Sequence, residues 1–176
     1  MPPSSPSPNA YGHTLLIKHL LSKSLLASAC QEIISGTEMR LSYADLGKRT
    51  RQLANSLKSS GIRKGMRVGV MDWDTHRYLE CFFAIPMMGA SLFTINVRLS
   101  PAQVLYTINH GQPDLIIVHR DFMPLIDEIK SSFNKKIIIK PILDGTGYEE
   151  WIGEANDIFD FPDFDENQTA TLFYTT

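Results

Sequence analysis

The stretch GASLFTINVRLSPAQVLYTINHGQPDLIIV, residues 89–118, decides the fold. Ser91-Leu92-Phe93-Thr94-Ile95 is a short apolar run, which predicts a strand. Ser100-Pro101-x-Gln103 is then a full helix start. The serine is placed to accept a backbone N–H, the proline sits where its missing donor does no harm, and the glutamine returns a bond from three residues on. Asp114-Leu115-Ile116-Ile117-Val118 closes the stretch as a second strand. It shows almost no polar alternation, so both its faces are expected to be covered. Strand, helix and strand with short connections is the rhythm of an α/β fold with a largely parallel sheet flanked by helices.

The rhythm continues in both directions. Upstream, Arg67-Val68-Gly69-Val70-Met71 reads as a strand. Asp74 or Thr75 then caps a helix that carries Leu79, Phe82 and Phe83 and is kinked or ended at Pro86. Downstream, residues 123–133 read as a helix and KIIIK, residues 136–140, as a buried strand. A short helical piece, residues 149–155, surrounds Trp151. Residues 156–169 are acidic and irregular, and Thr171-Leu172-Phe173-Tyr174 reads as a last buried strand. Ahead of the sheet, QEIIS (31–35) and EMRLSY (38–43) predict a hairpin across Gly36-Thr37. Ser42 and Asp45 form a capping box, and Leu46, Thr50, Leu53 and Leu57 recur at helical spacing. Lys48, Arg49, Arg51 and Lys58 fill the rest of that helix, and Gly61 ends it.

Residues 1–13 are a Pro/Ser-rich tail expected to be disordered. Residues 14–29 are apolar with lysine and histidine but no acid. They predict a docking helix. Organelle targeting, mitochondrial or peroxisomal, is the alternative, and it is weakened by the lack of arginine and of a cleavage site.

Composition narrows the classes. The 176 residues are 43% hydrophobic and 10% aromatic, enough to fill a core. Lys and Arg number 17 against 19 Asp and Glu, a formal charge of −2, with no basic stripe for nucleic acid. Cys30 and Cys81 stand far apart with no CxxC, against a disulfide scaffold or zinc knuckle and in favour of a reducing, cytoplasmic setting. No apolar run approaches the ~20 residues of a membrane span.

MDWDTHRYLE, residues 71–80, gathers Asp72, Asp74, His76 and Glu80. One reading is a metal or acid–base cluster. The other is a strand end, an N-cap and a His–Glu surface pair at i, i+4, and it is favoured because no second ligand pair exists. His13, His19, His110 and His119 are scattered, without GxSxG or a Cys–His motif. No GxGxxG or GxxxxGKS is present; DGTG, residues 144–147, follows a strand as a phosphate loop would, but a simple turn is the favoured reading. Read alone, the residues make no complete catalytic site and no metal site.

Three segments together resemble the AMP-forming adenylating enzymes, the family of acyl-CoA synthetases, adenylation domains and luciferases. LSYADL, residues 41–46, is similar to the first core motif, with Asp45 in place of the usual glutamate. Residues 89–118 are similar to the second. TLFYTT, residues 171–176, is similar to the opening of the glycine-rich phosphate loop. Residues 71–90 look most like medium-chain and related fatty acyl-CoA ligases. The resemblance implies that residues 14–176 are an incomplete N-terminal adenylation domain. The implied reaction joins a fatty acid to CoA with ATP and Mg²⁺, releasing AMP and pyrophosphate. Thr175 and Thr176 match the first hydroxyls of the phosphate loop. Asn96 and Arg98 match a turn near the CoA entry. The catalytic lysine and the loop body of the family match nothing here, so the chain alone is expected to be inactive. The alternative is a short non-catalytic module that pairs with a full-length ligase. A homodimer is also compatible with the resemblance.

Overall fold

The computed structural model describes residue 12 and residues 14–37, 39–143 and 145–175. The expected disorder of the tail, Asp144 of the DGTG turn and Thr176 lie outside these residues, save for Gly12 of the tail.

Helix α1 (Ile17–Ser28) docks as expected. It buries Leu21 against Leu46 and Met87, and Lys18 Nζ donates to the Phe161 carbonyl and pairs with Asp163, both at 2.8 Å. Strands β1 (Glu32–Ser35) and β2 (Met39–Ser42) form the antiparallel hairpin. Helix α2 (Tyr43–Ser59) opens on the Ser42–Asp45 capping box. It buries Leu46, Thr50, Leu53 and Leu57, the stripe read from spacing.

Five parallel strands follow: β3 (Arg67–Met71), β4 (Ser91–Thr94), β5 (Leu115–His119), β6 (Ile138–Ile142) and β7 (Thr171–Leu172). Their order across the sheet is β6-β5-β3-β4-β7. They alternate with α3 (His76–Met87), α4 (Pro101–Gly111), α5 (Met123–Ile129) and α6 (Tyr148–Gly153). The order dictates the layers. β3 to β4 steps one way, and β4 to β5 steps back past β3. Right-handed crossovers therefore put α3 and α4 on opposite faces. The core divides accordingly. Val68, Val70, Leu92, Leu115 and Ile117 pack with α2, α3 and α6. Met71, Phe93, Ile116 and Val118 pack with α4 and α5. Gly69 sits between them because a Cβ there would stand 3.0 Å from both Ile116 Cγ1 and Ile95 Cδ1.

Five expectations are corrected. KIIIK is not a buried strand. β6 begins two residues later, where the Ile138 N–H donates to the Asp114 carbonyl at 3.1 Å, and it forms the sheet's edge, with Ile138 40% exposed. The edge position also admits Pro141, which has no N–H to give to a further strand. The helix expected over 123–133 leaves α geometry after Ile129 and finishes as a 3₁₀ turn, Lys130–Ser132. α6 starts and stops earlier than expected. The terminal strand is two residues, not four, because it finds only Leu92 and Phe93 of β4 to pair with. Pro86 does not end α3, which runs one residue past it.

Candidate functional site

The chain leaves β3 toward one face of the sheet and leaves both neighbours, β4 and β5, toward the other. The loops at the carboxyl ends part around β3, and such switch points are where parallel sheets place ligands. The loops here carry Asp72 and Trp73 after β3, Asn96 to Arg98 after β4, Asp121 after His119 ends β5, and Thr175 after β7.

The β3–β5 side is closed by side chains. Trp73 Nε1 donates to Asp121 Oδ2 at 2.9 Å, and the indole lies 4.9 Å from the Phe122 ring. That bond from Trp73 holds the Asp121 carboxyl below its usual range. Asp72 is buried and accepts from the Trp73 N–H at 2.8 Å and from Thr75 Oγ1 at 2.6 Å. Burial pushes its pKa up against those bonds. Thr75 is the α3 N-cap but lends its hydroxyl to Asp72 instead of to the helix.

The β3–β4 side is open. Asn96 Oδ1 accepts the Arg98 backbone N–H at 2.9 Å, an Asx turn that turns the chain away from the sheet. Both side chains are exposed. No bond or ion pair holds the Arg98 guanidinium among the described residues. Thr175 is exposed beyond β7. The structure thus keeps Asn96 and Arg98 on one turn, puts Thr175 past a strand that flanks β4, and leaves Thr176 outside the described residues.

The 71–80 segment corrects another expectation. His76 and Glu80 are not a surface pair, since both are buried. Arg49 of α2 grips Glu80 through Nε at 2.6 Å and Nη2 at 3.3 Å. The same guanidinium holds Glu149 of α6 through Nη1 at 2.9 Å and Nη2 at 3.2 Å. Arg77 Nε adds a bond to Glu149 at 2.7 Å, and the Tyr148 hydroxyl donates to Glu80 at 2.7 Å. His76 Nε2 stands 3.7 Å from Glu149, an ion-pair distance too long for a hydrogen bond. Burial raises the Glu149 pKa, but the nearby His76 ring and the bonds from Arg49 and Arg77 outweigh it and hold the carboxyl well below its ordinary range. Burial lowers the Arg49 pKa and its two carboxylates raise it, with the net shift upward. The Arg49 and Glu149 roles were missed in the sequence. The one available signal was spacing, because Arg49 lies three residues from Leu46, beside the apolar stripe. Among the described residues, no group of three or more His, Cys, Asp or Glu is arranged to hold a metal ion.

A family model described as AMP-binding enzyme matches residues 26–176. The chain belongs to the AMP-binding enzyme family. The chain is 30% identical to a long-chain-fatty-acid CoA ligase of Thermus thermophilus, over 96% of its own length and 33% of the relative's. It is 29% identical to a medium-chain-fatty-acid CoA ligase of Ectopseudomonas oleovorans, over 92% of its length and 32% of that protein's. It superposes on an anthranilate CoA ligase solved with anthranoyl-AMP at a TM-score of 0.86 and 23% identity, covering 92% of this chain and 31% of the other. The chain spans about a third of the length of the relatives it matches. No helix among the described residues is long and apolar enough to cross a membrane.

Proposed function

We propose that the chain forms the N-terminal part of an ATP-dependent fatty acyl-CoA ligase. In that reaction a carboxylate attacks the α-phosphorus of ATP, giving an acyl-adenylate and pyrophosphate. The CoA thiol then displaces AMP and leaves the thioester. The observation that carries the reading is the family match over residues 26–176, with fatty-acid CoA ligases among the relatives.

In this reading residues 14–176 belong to one adenylation domain. The hydroxyls of Thr175 and Thr176 meet the ATP phosphates. Asn96 sets the turn, and Arg98 pairs with a phosphate of CoA. The fit of Arg98 is chemical: its guanidinium is exposed and without a partner among the described residues, and its paired N–H groups match a phosphate's oxygens. Mg²⁺ neutralises the phosphates of ATP. The described residues offer no ligand set for it, so no step is assigned to this chain through the metal. The free thiols of Cys30 and Cys81 suit the reducing cytoplasm. Exposed Leu20 and Leu26 on α1 are the support for self-association, which sedimentation measures.

The test is a chimera in which this chain replaces the matching third of the Ectopseudomonas oleovorans ligase. Fatty-acid-dependent ATP–pyrophosphate exchange and thioester formation are both expected. A folded chimera that catalyses neither counts against the reading. The isolated chain is expected to give no exchange above blank.

A further inference from the structure

We propose that His110 is a positioning residue for the segment that carries Thr175, and that it acts through Tyr174. The inference deepens the reading above and rests on it for the consequence at ATP.

The sheet ladder ends at Leu172, so the next three residues cannot be placed by pairing with β4. Phe173 is 64% exposed, yet Tyr174 beside it is half-buried. What holds Tyr174 is the end of α4. Its hydroxyl lies 2.6 Å from His110 Nδ1. Its ring meets the His110 ring edge-on, centroids 5.8 Å apart and planes at 70°. On another side it rests on Phe93 at 5.7 Å. His110 is held in turn: its ring stacks on Tyr106, one helical turn back, at 5.9 Å and 4°.

The floor of this seat is built as deliberately as its wall. Phe93 packs against the backbone of α4 at Gly111, where a Cβ would stand 2.8 Å from Phe93 Cε1. The Gly111 carbonyl is pinned by Arg67 Nη1 at 2.7 Å. Gly111 admits Phe93, Phe93 supports Tyr174, and His110 fixes the hydroxyl. When Nδ1 is the unprotonated nitrogen, the tyrosine O–H donates to it. A tyrosine anchored by ring and hydroxyl fixes the direction of the backbone that leaves it. That backbone is Thr175, the first hydroxyl of the proposed phosphate site. Phenylalanine at 174 keeps the ring contacts and loses the hydroxyl. Phenylalanine at 110 keeps the stacking and loses the acceptor.

The experiment has two arms. In the 176-residue chain, ¹⁵N relaxation reads the order parameter of the Thr175 amide for wild type, Tyr174→Phe, His110→Phe and the double variant. A rigid backbone gives about 0.85 and a flexible one below about 0.6. Each single variant is expected to move Thr175 toward the flexible value, while Leu115 to Val118 stay rigid. The double variant is expected to be no looser than either single, as required if both act through one bond. An unchanged Thr175 order parameter in both singles overturns the proposal. So does a double variant looser by the sum of the two. In the chimera, Tyr174→Phe is expected to raise the ATP KM roughly two- to tenfold, the worth of one neutral hydrogen bond, with the CoA KM unmoved. An active chimera whose ATP KM is unchanged by Tyr174→Phe also overturns it. An inactive wild-type chimera is a failure of the proposed function alone, and the relaxation arm then decides on His110.

Discussion

Two arginines of this chain lead opposite lives. All three nitrogens of Arg49 are bonded to Glu80 and Glu149, deep between α2, α3 and α6. Arg98 stands on an exposed turn after the carboxyl end of β4, its guanidinium without a partner among the described residues. The difference is burial. A charge taken out of water must be paired where it lies, so Arg49 ties three helices to one another. A charge left in water can wait for a partner from outside. The same side chain serves as a structural tie in one place and as a receptor in the other.

The sharpest way to break that comparison is to cut the knot. Arg49→Leu leaves Glu80, whose side chain is 0% exposed, without its cation. Breaking one side of a buried pair costs about 3–5 kcal/mol. That is a large share of the roughly 5–15 kcal/mol that holds a domain folded. Urea unfolding should show a strongly lowered midpoint. An Arg49→Leu/Glu80→Leu double variant should lose less than the two singles together, because neither charge is then stranded. An unmoved midpoint in Arg49→Leu would sink the claim that the knot carries stability.

Next in size is the seat under Tyr174. Gly111→Ala places a methyl 2.8 Å from Phe93 Cε1. Overpacking of this kind costs about 1–3 kcal/mol. The variant should unfold earlier in urea while keeping the far-UV signal of its helices. If it is neutral, Phe93 has room to retreat and the floor is not rigid.

A smaller effect belongs to pH. Glu149 has a folded pKa below its ordinary value, so its contribution is fully present above the unfolded carboxylate range, about 4.3 for glutamate. It is lost as the pH falls below that value toward the folded pKa. Asp72 moves the other way. Its raised pKa means that acid relieves a cost, so it partly offsets the loss. Exposed Asp45 and Asp163 share the depressed direction of Glu149. Glu149→Gln should therefore flatten the acid limb of stability between about pH 5 and 3 without abolishing it. Parallel limbs for the two proteins would refute this assignment.

The sequence was most readable where local chemistry is complete in a few residues. The capping boxes at Ser42 and Ser100 formed as written, because each needs only a serine and a partner three residues on. β5 is buried on both faces, as its unbroken apolar run required. The pattern failed where a distant neighbour decides. KIIIK has the composition of a central strand but lies at the edge, and nothing within it tells which side a sheet ends on. The Arg49–Glu149 bond joins residues 100 apart, out of reach of any periodicity. Of the candidate site, the turn at Asn96-Val97-Arg98 was reached through the family resemblance, and its Asx bond is local. The His110–Tyr174 bond spans 64 residues and was not.

The smallest effect on stability tests the other arginine. The structure separates two roles that the turn might have combined. Asn96 Oδ1 braces the turn through the backbone N–H of Arg98, a bond that survives any side chain at 98. Arg98→Ala should therefore change stability by no more than about 0.5 kcal/mol, the range of exposed positions free of special contacts. Asn96→Ala should cost more, because it removes the brace. In the chimera, the same Arg98→Ala should weaken the thioester half-reaction and spare adenylation. A hydrogen bond to a charged group is worth about 1.5–3 kcal/mol, a roughly tenfold to hundredfold rise in the CoA KM if binding is the step served. The loss should shrink with dephospho-CoA if the 3′-phosphate is the partner, since wild type then forfeits the same contact. If both half-reactions fall together with the melting temperature, Arg98 is a brace after all and the contrast with Arg49 collapses. If CoA kinetics and stability are both unmoved, Arg98 is not the CoA contact.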